Sequence, residues 1–343
     1  MIKTITLSAE ELKECDRIVI NIIINKKETA KEEISEEHIS YFEDFSFSDF
    51  AKAQIDKLVA EHRFNTANGY KSALKNLKTF LDKDDISLKD ITADNMKKFE
   101  LWLKERDLFT NSISFYFRKL RAIYNKAVEQ YDIRDEMPFR HVYTGKANTA
   151  KRAISKKEMM KLVQVRLESQ SYEFAKDMFL LSFFMRGISF VDLAHLKKEN
   201  ISNNILTYKR KKTGQILRIR WEKCMEDIVS KYRNDKNDYL LPIITKEKGN
   251  EFNQYRGKLY EINKKLKEIG IMLHFEHPLT MYVARHSWAS IAKQMDVPLS
   301  IISYGMGHDS EKTTNIYLKT FDYNKVDKAN AKIINTITKN PTS

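Results

Sequence analysis

With 343 residues, 42% of them hydrophobic, the chain is long enough for two domains, each with its own core. Nine glycines and five prolines argue against a turn-rich β fold. Two distant cysteines, Cys15 and Cys224, without His or Cys at ligand spacing, argue against a disulfide scaffold or a zinc site, and the formal net charge of +13 points to a polyanionic partner, nucleic acid ahead of an anionic membrane.

Residues 1–45 lack an apolar signal core, and the aliphatic run IVINIII at 18–24 is too short to span a bilayer. The protein reads as soluble and cytoplasmic, with no membrane partner. RIVINIIIN has the β-branched composition of a strand, and the charged stretch after it suggests no function. From Phe45 the pattern becomes helical. Apolar residues at 47, 50, 51, 55, 58 and 59 form one 3.6-period face. Tyr70, Ala73, Leu74, Leu77, Phe80 and Leu81 form a second, and Met96, Phe99, Leu101, Trp102 and Leu103 a third. A fourth amphipathic helix covers TNSISFYFRKLRAIYNKAVEQY. Four helices over residues 46–135 make a compact helical domain. Its polar faces carry Lys71, Lys75, Arg118, Lys119 and Arg121, candidates for contact with DNA phosphates.

Pro138, Gly145 and a polar, lysine-rich composition make residues 136–152 a linker. A second domain opens at about 153, where Ser155 and Glu158 have capping-box spacing. Helices are expected at 156–169, 171–186, 190–198, 222–234, 251–269, 280–295, 299–306 and 311–318. Residues 205–220 alternate about a Lys-Thr-Gly turn, as in a β-hairpin. The predicted fold class is mainly α, with a small β-hairpin or sheet in the second domain.

The residues that could carry chemistry lie in this second half. GMGHDSEKTTNIYL places Tyr317 nine residues after His308. MYVARHSWASIAKQM places Arg285 on a helix beside an apolar face, and RKKTGQ places Lys212 at a hairpin tip. In this order and spacing the chain, over about residues 45–330, resembles the tyrosine recombinases, or phage-type integrases. The resemblance implies a two-domain clamp on duplex DNA: a SAM-like core-binding domain at 46–135, a catalytic domain at 153–320, and a tail at 321–343 available for exchange between protomers. It implies a site-specific recombinase that cuts and rejoins DNA through a 3′-phosphotyrosyl link, without metal, ATP or any cofactor. A tetrameric synapse and accessory DNA-bending proteins would accompany it, at the nucleoid. The alternatives are an activity like that of type IB topoisomerases, or an inactive DNA-binding protein of the same fold.

On this resemblance Tyr317 is the nucleophile, Arg285 holds the phosphate, His308 bonds one of its oxygens, and Lys212 protonates the leaving 5′-oxygen. Lys209, Arg210 and Lys211 are phosphate-clamp residues beside it. Two positions depart from the family pattern. Its His-x-x-Arg box reads Tyr282-Val283-Ala284-Arg285, which puts a hydroxyl where the family has an imidazole. Its first arginine falls on Ser189, which with Asp192 looks like a helix cap. Arg186, three residues earlier, is the expected replacement, with Gly187 as the C-terminal cap of the preceding helix. The competing expectation pairs Arg186 with Asp192 or Asp177 as a buried ion pair. Both departures resemble a subgroup of integrases from mobile elements.

Overall fold

The computed structural model describes residues 45–147, 152–232, 237–245 and 251–308, which fall into two compact units divided after Lys146. The strand expected at 17–25 and everything beyond His308, including the helix at 311–318, lie outside the described residues.

Among its described residues the first unit holds four α-helices: α1 (Phe47–Ala60), α2 (Phe64–Leu81), α3 (Ala93–Glu105) and α4 (Thr110–Tyr131). Ser46 and Thr92 start α1 and α3 by accepting the backbone N–H of Asp49 and Asn95 at 3.0 and 3.1 Å. Phe47, Phe99 and Phe117 are fully buried at the centre, each stabilising the fold by roughly 1.5–3 kcal/mol. Leu101, grouped with the apolar face of α3, is exposed instead, because the stripe that packs runs through Met96, Phe99 and Leu103. Residues 136–146 of the segment expected as a linker are held to this unit. Phe139 and Val142 are buried in its core, Ser114 Oγ donates to the Gly145 carbonyl at 2.5 Å, and Tyr124 Oη accepts from the Glu136 N–H.

The second unit comprises α5 (Lys156–Gln164), α6 (Gln170–Phe184), α7 (Phe190–Ala194), β1 (Ile201–Ser202), β2 (Ile205–Lys209), β3 (Ile216–Arg220), α8 (Lys223–Lys231), α9 (Glu251–Met272), α10 (Met281–Gln294) and α11 (Leu299–Met306). Helix α6 is apolar nearly all round because it is the central rod, packed by α8, α9 and α10. The three strands form an antiparallel sheet in the order β1-β2-β3, with Leu206 opposite Ile219 and Tyr208 opposite Leu217 on its buried face. Strand β1 is too short to show alternation in the sequence. It is joined to β2 through Asn203 and Asn204, both at positive φ, the signature of a tight hairpin turn. Helix α5 stops at Gln164, short of the expected 169. Lys176 Nζ takes the Val165 carbonyl and Glu173 takes the Leu167 N–H, turning the chain into α6. Among the described residues no helix is long and apolar enough to cross a membrane.

Candidate active site

The site is built on two helix ends of the same kind. At the end of α11, the Gly307 N–H reaches the Tyr304 carbonyl at 2.9 Å and the His308 N–H reaches that of Ser303 at 3.0 Å. At the end of α6, the Arg186 N–H reaches Phe183 at 3.1 Å and the Gly187 N–H reaches Ser182 at 2.8 Å. Both are Schellman motifs, whose pivotal residue is left-handed and usually glycine. In α11 that residue is Gly307, at φ 65°. In α6 it is Arg186 itself, at φ 59°, and not the glycine expected there. Most other non-glycine residues at positive φ in the chain are Asp, Asn or His, for which the conformation is mild. A left-handed arginine costs roughly 1–2 kcal/mol.

Gly187 has a different task. A Cβ on it would lie 2.7 Å from the Arg285 Cα, and its φ is 72°, so only glycine fits on both counts. Its carbonyl accepts from Arg285 Nη1 at 2.6 Å. Nη2 of the same guanidinium donates to the Met306 carbonyl at 2.7 Å and to His308 Nε2 at 2.8 Å. Arg285 is buried, on the inward face of α10. Because a guanidinium only donates, His308 Nε2 must be the acceptor, and any ring proton of the neutral form sits on Nδ1. Burial, and then the charges of Arg285, Arg210 and Lys212, lower the His308 pKa to about 4. The imidazole is therefore neutral at pH 7.

The turn between β2 and β3 closes on this corner. The Arg210 N–H donates to the Gln215 carbonyl, and the Gly214 N–H returns to the Arg210 carbonyl, both at 2.8 Å. Asp192, buried in α7, joins the turn to the α6 end. Its Oδ2 accepts from Ser189 Oγ at 2.6 Å and its Oδ1 from the Lys211 N–H at 2.8 Å. Ser189 is the N-cap of α7, as expected, but the acid reaches the hairpin and not the cap backbone. The four basic turn residues separate. Lys209, Lys211 and Lys212 are exposed, whereas Arg210 is buried, so the expected phosphate-clamp guanidinium does not face solvent. Lys212 acts on His308, whereas the Lys211 ammonium, partly shielded from water although the residue as a whole is exposed, is held below its usual pKa by that desolvation, against the pull of Glu251 and Asp192. Lys211 and Lys209 line a recess of about 210 Å³ with Asp192, His195 and Tyr208.

Arg186 takes neither proposed carboxylate partner. Asp177 accepts from Lys231 and Tyr232, both at 2.9 Å, and Asp192 is committed as described, with Arg210 Nε 3.9 Å away. The Arg186 stem runs beside Gly305, where a Cβ would be 3.6 Å from its Cδ. Buried Tyr208 feels all three guanidiniums, Arg285, Arg210 and Arg186, while burial and Asp192 push its pKa well up. The structure thus brings Arg210, Arg285, His308 and the Lys212 turn together, and Arg186 reaches the same corner beside Gly305 and Tyr208. Tyr282 is on the same helix face as His286, which it meets edge-on at 4.6 Å, and is mostly exposed. Tyr317 lies outside the described residues. Among those described, no three His, Cys, Asp or Glu side chains are grouped to hold a metal ion.

In the first unit the basic residues fall into two groups. Lys71 and Lys75 line a groove of about 520 Å³ between α1 and α2, with Lys52 and Lys78. On α4, Lys119 lies over the Tyr70 and Phe115 rings, and partial burial lowers its pKa. Arg118 Nε reaches the Ser114 carbonyl at 3.3 Å, and Arg121 reaches Thr144 at 3.3 Å.

Residues 127–323 match the family model described as phage integrase family, and residues 46–147 match the phage integrase SAM-like domain. The chain belongs to the phage integrase family. This integrase is 22% identical over 276 residues to a tyrosine recombinase of Pseudothermotoga lettingae, covering 78% of the chain and 91% of that protein. The fold is that of the Tn1549 transposon integrase solved with transposon right-end DNA (TM-score 0.61, 14% identity, 84% and 99% coverage). It is also that of a lambda integrase dimer on a COC′ core site (TM-score 0.62, 14% identity, 80% and 95% coverage). A lambda integrase tetramer on a Holliday junction scores 0.59, at 14% identity. The chain is thus a tyrosine recombinase by family, mainly helical with a small three-stranded sheet. The reading of the integrase sequence did not identify Asp192 as the bridge to the hairpin or Arg210 as a buried residue. Gly307 was the available signal, since a glycine beside the histidine leaves room for a side chain from elsewhere.

Proposed function

We propose that the integrase is a site-specific DNA recombinase whose phosphate pocket is the corner between the ends of α6 and α11 and the β2–β3 turn. The observation that carries this reading is charge. Arg210 is set against Asp192, 3.9 Å away, which leaves buried Arg285 and the exposed Lys212 acting on a neutral histidine, with the half-buried Arg186 at the same corner, as a positive excess that a phosphodiester would neutralise. Arg186 supplies the charge that Ser189 lacks, and its left-handed backbone is retained for that service.

In this reading the Tyr317 oxygen attacks phosphorus, and the P–O bond to the 5′-oxygen breaks. Lys212 gives that oxygen its proton. The Tyr317 hydroxyl gives up its own proton to solvent water as it attacks; a phenol ordinarily ionises near pH 10, and cations bound to the phosphate would favour the phenolate. Arg285 and Arg186 hold the non-bridging oxygens. His308 offers a hydrogen bond from Nδ1. One phosphodiester becomes one phosphotyrosyl ester, so the bond is conserved and an incoming 5′-hydroxyl reverses the step without ATP. Tyr282 reaches the phosphate through its hydroxyl from the exposed face of α10. The helical unit binds the duplex through Lys71, Lys75, Arg118, Lys119 and Arg121, with Lys209 and Lys211 adding phosphate contacts near the hairpin. Protomers pair on DNA into a tetramer for strand exchange.

The test is a nicked duplex carrying the target site, on which cleavage traps the protein covalently. The wild type forms a 3′-linked adduct with EDTA present, and Tyr317→Phe forms none. Salt-dependent DNA binding without any adduct would make the chain a non-catalytic DNA-binding protein. Relaxation of supercoiled DNA lacking any such site would make it a topoisomerase.

A further inference from the structure

We infer that Arg210 is a positioning residue: it ties the hairpin that carries Lys212 to the helix end that carries His308, so that the two side chains are placed as one unit. The inference rests on the recombinase reading for its consequence, but the tie itself is a property of the free protein.

Arg210 is only 7% exposed. Its Nη1 donates to the Gly307 carbonyl, across 97 residues of sequence. Its Nε lies 3.9 Å from Asp192 Oδ2, and that carboxylate also holds the Lys211 N–H. The fit is close on the far side too. A Cβ on Gly307 would lie 2.9 Å from the Arg210 Cδ and 3.0 Å from the Leu217 Cδ1, so glycine there admits the arginine stem. Arg210 also sits at the base of its turn, bonded by its own N–H and carbonyl to Gln215 and Gly214. Its side chain therefore fixes the turn against α7 and α11 at once, with Lys212 two residues on and His308 next to the carbonyl it grips. The Arg210 charge is set against Asp192 and its Nη1 is spent on the Gly307 carbonyl, so the side chain serves as a link between elements. A charge-assisted bond to a helix-end carbonyl also meets an acceptor that the helix cannot satisfy itself.

The charges facing His308 are Arg285 from α10 and Arg210 and Lys212 from the hairpin. Removing Arg210 takes away one of three cations that act on the ring. The His308 midpoint then moves upward from about 4 toward the ordinary 6.5. A solvent-facing DNA contact predicts no such movement in the absence of DNA.

The experiment uses the full chain with Arg210→Met and Arg210→Lys. Three quantities are read: the His308 titration by NMR without DNA, the salt dependence of DNA binding, and the single-turnover rate of adduct formation. With Arg210→Met the DNA affinity and salt slope stay at wild-type values, the adduct rate falls about a hundredfold, and the His308 midpoint rises. Arg210→Lys keeps the charge without the reach and recovers part of the rate. A salt slope lowered by about one, with an unmoved His308 midpoint, would mean a phosphate contact and would overturn the inference. Adduct formation at the wild-type rate would overturn it as well. If Arg210→Met does not fold, Arg210→Lys decides: a slowed adduct at unchanged salt slope supports the tie, and the wild-type rate refutes it. If the wild type itself forms no adduct, the recombinase reading fails, but the His308 midpoint in the variants still decides whether the tie exists.

Discussion

Gly187 and Arg285 meet at the limit of packing: the Gly187 carbonyl accepts from Arg285 Nη1 at 2.6 Å, and a Cβ on Gly187 would lie 2.7 Å from the Arg285 Cα. The contact joins the end of α6, where Arg186 sits, to α10, which carries Arg285. Gly187→Ala would have to strain its left-handed backbone and push α10 away. The substitution is expected to lower stability by about 2 kcal/mol or more and to abolish cleavage even where the protein folds. Denaturant unfolding and adduct formation measure the two effects. A variant of wild-type stability would show that the two helices do not bear on each other here.

Arg186 gives the opposite pairing of effects. It occupies a left-handed position that glycine fills at no cost, so Arg186→Gly should raise stability by about 1 kcal/mol. The same change removes the charge proposed to bind the phosphate and should eliminate cleavage. Stability gained with activity lost is the expected outcome for a residue kept for function at the expense of the fold. If Arg186→Gly destabilises, the arginine stem beside Gly305 contributes more than its backbone costs.

His308 sets a pH dependence of stability. Its folded pKa, about 4, lies below the ordinary 6.5. Between these values the unfolded chain binds a proton that the folded chain refuses. The stability that the neutral ring contributes is thus full above pH 6.5 and is lost as pH falls through the window toward 4. His308→Gln should lack this part of the slope. Unfolding midpoints from pH 7.5 to 4.5, compared between the two proteins, measure it. Parallel curves would mean that the imidazole is not held neutral by the site.

Lys71 and Lys75 belong to one groove between α1 and α2 and face solvent. Replacement of either by alanine should weaken DNA binding to the same degree on target and unrelated duplexes. Each should reduce the slope of log K against log salt by about one. A loss confined to the target sequence would instead place the residue against base edges.

The helices of the first unit were legible because their apolar stripes keep the 3.6 period, α6 because its apolar run is too long for a strand, and the hairpin because Leu206, Tyr208, Leu217 and Ile219 alternate about a turn. What was not legible depends on partners far along the chain. Nothing local to RKKTG says that Arg210 turns inward, because its acceptor is the carbonyl of Gly307. Asp192 looked like a capping acid because Ser189 stands three residues before it, and its second bond, to the Lys211 N–H, comes from another element. At the α6 end the glycine looked like the left-handed cap. The neighbouring arginine holds that position because Gly187 is needed against Arg285. Family resemblance placed Lys212, Arg285 and His308 by order and spacing. Arg186 came from the absence of an arginine at Ser189.

The claim that Arg186 serves where Ser189 stands is tested most directly by covalent trapping on a nicked target duplex, with Arg186→Ala and Ser189→Ala beside the wild type. The account predicts that Ser189→Ala still forms the 3′-phosphotyrosyl adduct, slowed by the loss of a cap worth about 1 kcal/mol, and that Arg186→Ala forms none while folding and binding DNA as the wild type does. Adduct formation by Arg186→Ala at the wild-type rate, with stability unchanged, would contradict it.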